Sequence, residues 1–233
     1  MPRTAAVFFD VDFTLIHPGP RFQGVGYARS CARHGIVVDE SRFDAAVEQA
    51  AGVLDSVEQI YDDALFVRYT RRIIEHMGGS GPAVETAARE IYDDWASHHD
   101  FVLYDDVPEA LRALHAQGIR LGLISNSHRP LESFDSHFEL DGLISVRVSS
   151  ADHGFLKPHP SIFRAALEAM RVTAGEAAMV GDSVAHDVAG ARQVGMRAIL
   201  IARGGRPAIP AINDTQVDVI QSLGELPALL AAS

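Results

Sequence analysis

The stretch Ala5-Ala6-Val7-Phe8-Phe9-Asp10 decides the fold, because five consecutive apolar residues end there at an aspartate. A continuous apolar run of this length is typical of a strand that is buried on both faces of a parallel sheet. Similar runs occupy residues 121–124, 177–180 and 198–201, and polar or small residues follow each of them. We therefore predict four buried strands that lie side by side in one sheet.

Helical patterns lie between these runs. The segments 108–117, 160–170 and 187–194 carry a proline near the start or a glycine just past the end, which are helix signals. Near the end of the sequence we expect an edge strand at 217–220 and a short closing helix at 222–230. Strands and helices alternate, so the predicted fold class is α/β, with a doubly wound parallel (Rossmann-like) sheet as the core.

The segment 17–100 interrupts this alternation, because it contains no comparable apolar run. It reads instead as a series of helices, which we expect at 41–54, 56–77 and 82–98 with a glycine-rich break at 78–82. We predict an α/β core formed by residues 1–16 and 101–233, and an inserted α-helical domain at 17–100.

Composition limits the classes of partner. The 233 residues include 20 Lys and Arg against 31 Asp and Glu, a net charge of −11 that repels nucleic acids and anionic membranes. No apolar stretch approaches the ~20 residues of a membrane span, and the N-terminal run is too short for a signal peptide. The single cysteine, Cys31, rules out an intramolecular disulfide and a Cys-rich zinc site. We expect a cytoplasmic protein that binds neither nucleic acid nor membrane; monomer and homodimer both stay open.

Residues with reactive side chains follow the predicted strands, where ligands bind in a doubly wound sheet. They are Asp10, Asp12, Thr14, Ser125, Asn126, Asp182 and, opening the next helix, Asp187. Lys157 precedes Pro158 at the entrance of another predicted helix. Carboxylates gathered at one sheet edge repel each other unless a cation shares the site. A set of oxygen ligands suits Mg²⁺ better than Zn²⁺, so the sequence predicts a magnesium site.

Phosphoryl transfer is the chemistry that this set favours. A divalent ion, the Lys157 ammonium and the Ser125 hydroxyl would together neutralise a phosphoryl group. Asp10 could then attack phosphorus as a carboxylate nucleophile, and Asp12 could handle the proton at the leaving oxygen.

Four short motifs resemble, in the same order, those of the haloacid dehalogenase-like (HAD) hydrolase superfamily. They are DVDFT at 10–14, SN at 125–126, KP at 157–158 and GDSVAHD at 181–187. The resemblance implies a doubly wound core, a helical cap of the C1 type at 17–100, and a Mg²⁺-dependent phosphatase that acts through an aspartyl-phosphate on a small phosphorylated metabolite.

The resemblance also implies a role for each matching residue. Asp10 would be the nucleophile, Asp12 the general acid/base, and Lys157 would steady Asp10 and the phosphoryl oxygens. The implied phosphate-binding residues are Ser125, Asn126 through its backbone, Lys157 and Thr14, which would orient the first motif. The implied metal ligands are Asp10, Asp12 through its carbonyl, Asp182 directly and Asp187 through water.

One residue departs from the pattern of the superfamily, which often has glycine where this chain has Phe13. We interpret Phe13 as a packing residue at the entrance to the predicted cap.

Three alternatives stay open. A 2-haloacid dehalogenase would displace halide without a metal and would not need Asp12, because halide leaves unprotonated. A phosphomutase would keep the same groups but slow the hydrolysis of its aspartyl-phosphate, and the sequence does not separate it from a phosphatase. A non-catalytic binding protein is expected to lack Asp10, Asp12 or Lys157, all of which are present.

Overall fold

The structure is a computed structural model that describes residues 4–54, 59–140, 142–204 and 217–231. The strands among these residues are β1 (Ala6–Phe9), β2 (Ile16–Pro18), β3 (Phe101–Leu103), β4 (Arg120–Ser125), β5 (Ile144–Ser149), β6 (Ala177–Gly181), β7 (Arg197–Ile201) and β8 (Asp218–Ile220). Six of them form one parallel sheet in the order β5-β4-β1-β6-β7-β8, and β2 pairs with β3. The predicted parallel α/β core is confirmed.

Strand β1 lies at the centre of the sheet. Its four residues are fully buried, and successive side chains point to opposite faces. Phe8 packs in a cluster with Phe163 and Met170, so the helix that contains these two residues covers that face of the sheet. Phe9 pairs in register with Leu123 of β4 and Val180 of β6, which brings the carboxyl ends of the three strands level with one another.

The helices of the described residues are α1 (Gly24–Arg33), α2 (Phe43–Ala50), α3 (Asp63–His76), α4 (Val84–Asp94), α5 (Val107–Ala116), α6 (Phe134–His137), α7 (Ser150–His153), α8 (Pro160–Met170), α9 (Ala189–Gln193) and α10 (Leu226–Ala231). No helix in this described part of the chain combines the length and the apolar character that a bilayer span requires.

The chain divides into two compact units. The first consists of Met1–His17 and Leu103–Ser233, and the second is Pro18–Val102. In the second unit α3 packs against both α2 and α4. Aromatic contacts from Phe22 to Trp95 and Phe101 add to its interior, with ring centroids 4.5 Å and 5.1 Å apart.

The elements missing from the sequence prediction include strand β5 and helix α1. Strand β5 lies at the edge of the sheet, where apolar and polar residues alternate, so it lacks the continuous apolar run of a central strand. Helix α1 begins with Gly-Val-Gly, a sequence of low helix propensity, and buries Gly24, Tyr27 and Cys31. Tertiary packing outweighs local propensity in that helix.

Two of the helices predicted in the second unit are shorter in the structure than expected, and the third is described only in part. The helix expected at 41–54 is α2 alone, flanked by 3-10 turns at Glu40–Arg42 and Ala51–Leu54; Gly52 lies in the second turn, and glycine is unfavourable inside a helix. The start expected at residue 56 lies outside the described residues, and the described helix α3 is capped by Asp62, which accepts from the Ala64 amide at 3.0 Å. The helix expected at 82–98 is shorter: α4 covers Val84–Asp94, and Trp95, which follows it, packs on Phe101.

Candidate active site

Asp10 lies directly after β1, at the carboxyl edge of the sheet. Its amide donates to the Val180 carbonyl at 2.9 Å, which extends the ladder between β1 and β6 by one bond. Its side chain accepts from the Thr14 hydroxyl at 3.3 Å. The backbone of Asp10 is therefore fixed by the sheet, and its carboxylate is nearly buried.

Lys157 joins two buried carboxylates. Its Nζ atom lies 2.6 Å from Asp10 Oδ1 and 2.6 Å from Asp187 Oδ1. Burial alone would lower the pKa of Lys157, but the two carboxylates raise it above its ordinary value, so the ammonium stays charged. Lys157 is also the only lysine in the sequence, where arginine supplies every other fixed cation.

Asn126 fixes the backbone of Lys157. Its side-chain amide donates to the Lys157 carbonyl at 3.0 Å, and its side-chain oxygen accepts from the Lys157 amide at 2.7 Å. The peptide bond from Lys157 to Pro158 is cis. The side chain of Asn126 thus positions the lysine, a role that the motif pattern alone did not indicate.

Three carboxylates form an acidic cluster, which we define as Asp10, Asp182 and Asp187. One oxygen of each lies within 4.8 Å of the others. Desolvation, and then the charges of the other two, raise the pKa of Asp182 to about 8, although its side chain keeps contact with solvent. Burial and the charge of Asp10 raise the pKa of Asp187 to about 6, against the opposing effect of Lys157. One ammonium does not balance three carboxylates, so this oxygen-rich cluster fits a divalent cation.

The segment after β6 holds Asp187 in this cluster. The helix predicted to begin at Asp187 starts earlier, because Ser183 caps a π-helical turn at Val184–Val188 that precedes α9. The Ser183 amide also donates to Asp187 Oδ2 at 3.0 Å. A Cβ atom on Gly181 would lie 2.2 Å from Asp187 Oδ2, so only glycine allows this close approach.

Ser125 ends β4 beside these groups. Its hydroxyl is buried and has no hydrogen-bond partner among the residues that the structure describes. A buried hydroxyl without a partner is costly, and a bound anion would satisfy it. This observation fits a phosphoryl oxygen at the edge of the sheet.

Two arginines that the sequence prediction did not include contact the first motif. The Nη1 atom of Arg129 lies 3.0 Å and 3.2 Å from the two carboxylate oxygens of Asp12. The guanidinium of Arg203 donates to the Thr14 carbonyl and to Asp106. Both arginines are distant in sequence from the residues they contact, so spacing gave no signal for either.

Asp12 and Phe13 differ in their surroundings. Burial raises the pKa of Asp12, an effect that the Arg129 charge opposes. Phe13 has a φ of 63°, in the left-handed region that favours glycine, and its side chain is 46% exposed. A bulky residue in this conformation carries backbone strain, which is common in turns beside functional groups.

The fold and this edge define a class of protein, namely a doubly wound α/β enzyme whose candidate reactive groups are carboxylates grouped around one lysine. A model of the haloacid dehalogenase-like hydrolase family matches residues 4–195. The chain belongs to that family.

The relatives that cover nearly the whole chain include proteins named phosphatases and a protein named a dehalogenase. The chain is 27% identical over 237 residues to a glyceraldehyde 3-phosphate phosphatase of Pyrococcus furiosus, an alignment that covers 99% of this chain and 93% of the relative. It is similar to a HAD phosphatase structure from Thermococcus onnurineus, with TM-score 0.66, 26% identity and 97% of each chain covered. A 2-haloacid dehalogenase structure from Pseudomonas syringae matches with TM-score 0.66, 25% identity and 97% and 98% of the two chains covered.

Proposed function

We propose that this protein is a Mg²⁺-dependent phosphatase that hydrolyses a small phosphorylated metabolite through an aspartyl-phosphate on Asp10. The observation that carries the proposal is the juxtaposition at one sheet edge of the lysine-bound Asp10, the acidic cluster and the Ser125 hydroxyl, which has no partner within the described part of the chain. Anion-binding groups and an excess of carboxylates are both needed there if phosphate and a divalent cation bind together.

The residues of the chain divide the reaction between them. Asp10 attacks phosphorus, and the bond from phosphorus to the leaving oxygen breaks as Asp12 donates a proton to that oxygen. Asp12 then accepts a proton from the water that attacks the aspartyl-phosphate, which releases phosphate and restores Asp10. Ser125, the Asn126 backbone and Lys157 bind the phosphoryl oxygens. Bound Mg²⁺ would neutralise the charge of the phosphoryl group.

The metal ligands in this proposal are Asp10, the Asp12 carbonyl and Asp182, with Asp187 acting through water. The hydrogen bonds of Asp187 support its indirect role, because the Lys157 ammonium donates to one of its carboxylate oxygens and the Ser183 amide donates to the other. Asp182 supports its direct role by remaining in contact with solvent.

Replacement of Asp182 is expected to weaken Mg²⁺ binding. Replacing a residue that only hydrogen-bonds to a metal ligand lowers metal affinity about 10–100-fold. Because Asp182 is proposed as a direct ligand, Asp182→Asn should lower the affinity for Mg²⁺ by about 10-fold or more. Isothermal titration with MgCl₂ measures the affinity, and Glu168→Gln, which removes an exposed carboxylate on α8, serves as the matched control. Equal affinity in Asp182→Asn and wild type would remove Asp182 from the ligand set.

Replacement of Asp12 is expected to act on leaving-group protonation. Asp12→Asn should lower kcat/KM, which reports formation of the aspartyl-phosphate, roughly 10²–10⁴-fold for alkyl phosphates, the usual range for a general acid. The loss should shrink for p-nitrophenyl phosphate, because nitrophenolate leaves without a proton. Steady-state kinetics on both ester types measures the loss of kcat/KM for each. An equal loss on both esters would contradict the assigned role.

The unit Pro18–Val102 supports the small size of the substrate in this proposal. We assign it as the cap, since it is a helical insertion between the first and second motifs. A cap that excludes water from the reacting groups also limits what enters. Small phosphate esters are therefore preferred over phosphoproteins.

The 2-haloacid dehalogenase is the second candidate, and one relative carries that name. The acidic cluster and the buried Asp12–Arg129 pair favour the phosphatase, because neither a cation site nor a proton donor is needed for halide to leave. Phosphate release from a panel of small esters, with Mg²⁺ or with EDTA, tests the proposal. Halide release from 2-haloacids without phosphate release would overturn it, and transfer of phosphate between sugar positions would indicate a phosphomutase.

A further inference from the structure

Arg129 follows the second motif, in the loop after β4. Its side chain is fully buried, and one nitrogen, Nη1, donates to both carboxylate oxygens of Asp12. The side chain of Asp12 is 17% exposed. The pair is thus a charged contact, buried on the Arg129 side and partly buried on the Asp12 side, between the first motif and the loop of the second.

Such a contact restricts the carboxylate of Asp12. A guanidinium does not lose its charge, and removing one member of a buried ion pair leaves the other uncompensated. The position of Arg129 is itself fixed, since its amide donates to the Ser127 hydroxyl at 2.9 Å. The two-oxygen contact sets the rotation of the carboxyl group and leaves further lone pairs on each oxygen for a substrate.

We propose that Arg129 is a positioning residue for Asp12, which it holds in the orientation needed to transfer a proton to the leaving oxygen. This inference rests on the proposed function, because it assigns Asp12 the proton-transfer role. Arg129 acts through Asp12 and does not itself contact the reacting atoms. Its effect should therefore depend on whether Asp12 can carry a proton.

A double-mutant cycle tests this dependence. Arg129→Met should lower kcat/KM about 10–100-fold for alkyl phosphates, part of the full contribution of a general acid, and much less for p-nitrophenyl phosphate. In the Asp12→Asn background the same replacement should change kcat/KM by less than about twofold. Arg129→Lys, which keeps the charge, should recover part of the loss. Arg147→Met, which breaks the buried contact of Arg147 with Asp135, is the matched control and should leave the leaving-group dependence unchanged.

A crystal structure of Arg129→Met provides a readout that does not depend on turnover. The proposal expects the Asp12 carboxylate to rotate or to occupy several conformers. An Asp12 carboxylate that keeps its position would overturn the proposal, and so would full additivity of the two replacements or an equal loss on both esters. Failure of the proposed function looks different: the wild-type protein itself would release no phosphate from any ester.

Discussion

Asp10→Asn is expected to abolish turnover while the fold is retained. A carboxamide does not form the bond to phosphorus, so we expect kcat to fall by roughly 10⁴-fold or more, as for other enzymes that lose a nucleophile. The replacement keeps the size of the side chain, and Lys157 keeps Asp187 as a partner. The measurement is phosphate release at saturating Mg²⁺, together with far-UV circular dichroism to show that the variant is folded.

The matched control makes the same chemical change in another buried carboxylate. Asp135 lies on α6 and pairs with Arg147, so Asp135→Asn should lower stability without a comparable loss of kcat. Substantial turnover by a pure, folded Asp10→Asn protein would exclude Asp10 as the nucleophile.

Lys157→Met is expected to have the largest effect on stability. Methionine fills the space of the lysine stem but leaves Asp10 and Asp187 buried side by side without their shared cation. Removal of one member of a buried ion pair typically costs 3–5 kcal/mol, so we expect a loss of about that size in the free energy of unfolding at pH 8. Urea denaturation followed by circular dichroism measures it.

The loss should depend on pH in a defined direction. Burial and the charge of Asp10 already raise the pKa of Asp187 to about 6 in the presence of the lysine, and removal of the ammonium raises the pKa further. A carboxyl group whose folded-state pKa is raised destabilises the fold when ionised and recovers as it is protonated. The deficit of Lys157→Met should therefore shrink as the pH falls from 8 to about 6, and it should level off below about 6, because Asp187 of the wild type also takes up a proton there.

A surface pair supplies the comparison. Arg197 pairs with the half-exposed Asp218, and Arg197→Met should cost less than about 1 kcal/mol. If Lys157→Met were no more costly than Arg197→Met at pH 8, the ammonium of Lys157 would not be balancing the two buried carboxylates.

The core of the fold was predictable because its central strands are buried on both faces. That burial produces continuous apolar runs, which identify β1, β4, β6 and β7 directly. Strand β5 was not predicted because apolar and polar residues alternate along this edge strand. Helix α1 was not predicted because only its close packing explains the glycines that it contains.

The candidate site was predictable where residues directly follow buried strands. Asp10 and Asp182 do so, and Ser125 is the last residue of such a strand. The structure brings the three to one edge together with Lys157 and Asp187. Their catalytic and binding roles remain proposals. Arg129 was not predictable, because it lies in a loop, 117 positions from Asp12 in sequence, and only the fold brings the pair together.

The most direct test of the account is the covalent state of Asp10 during turnover. Wild-type protein is mixed with p-nitrophenyl phosphate and Mg²⁺, quenched rapidly in acid and digested for peptide mass spectrometry. The account predicts one added phosphoryl group on the peptide that contains Asp10, and none in Asp10→Asn. Steady release of phosphate with no phosphorylated Asp10 peptide at any quench time, or with the group on another residue, would contradict it.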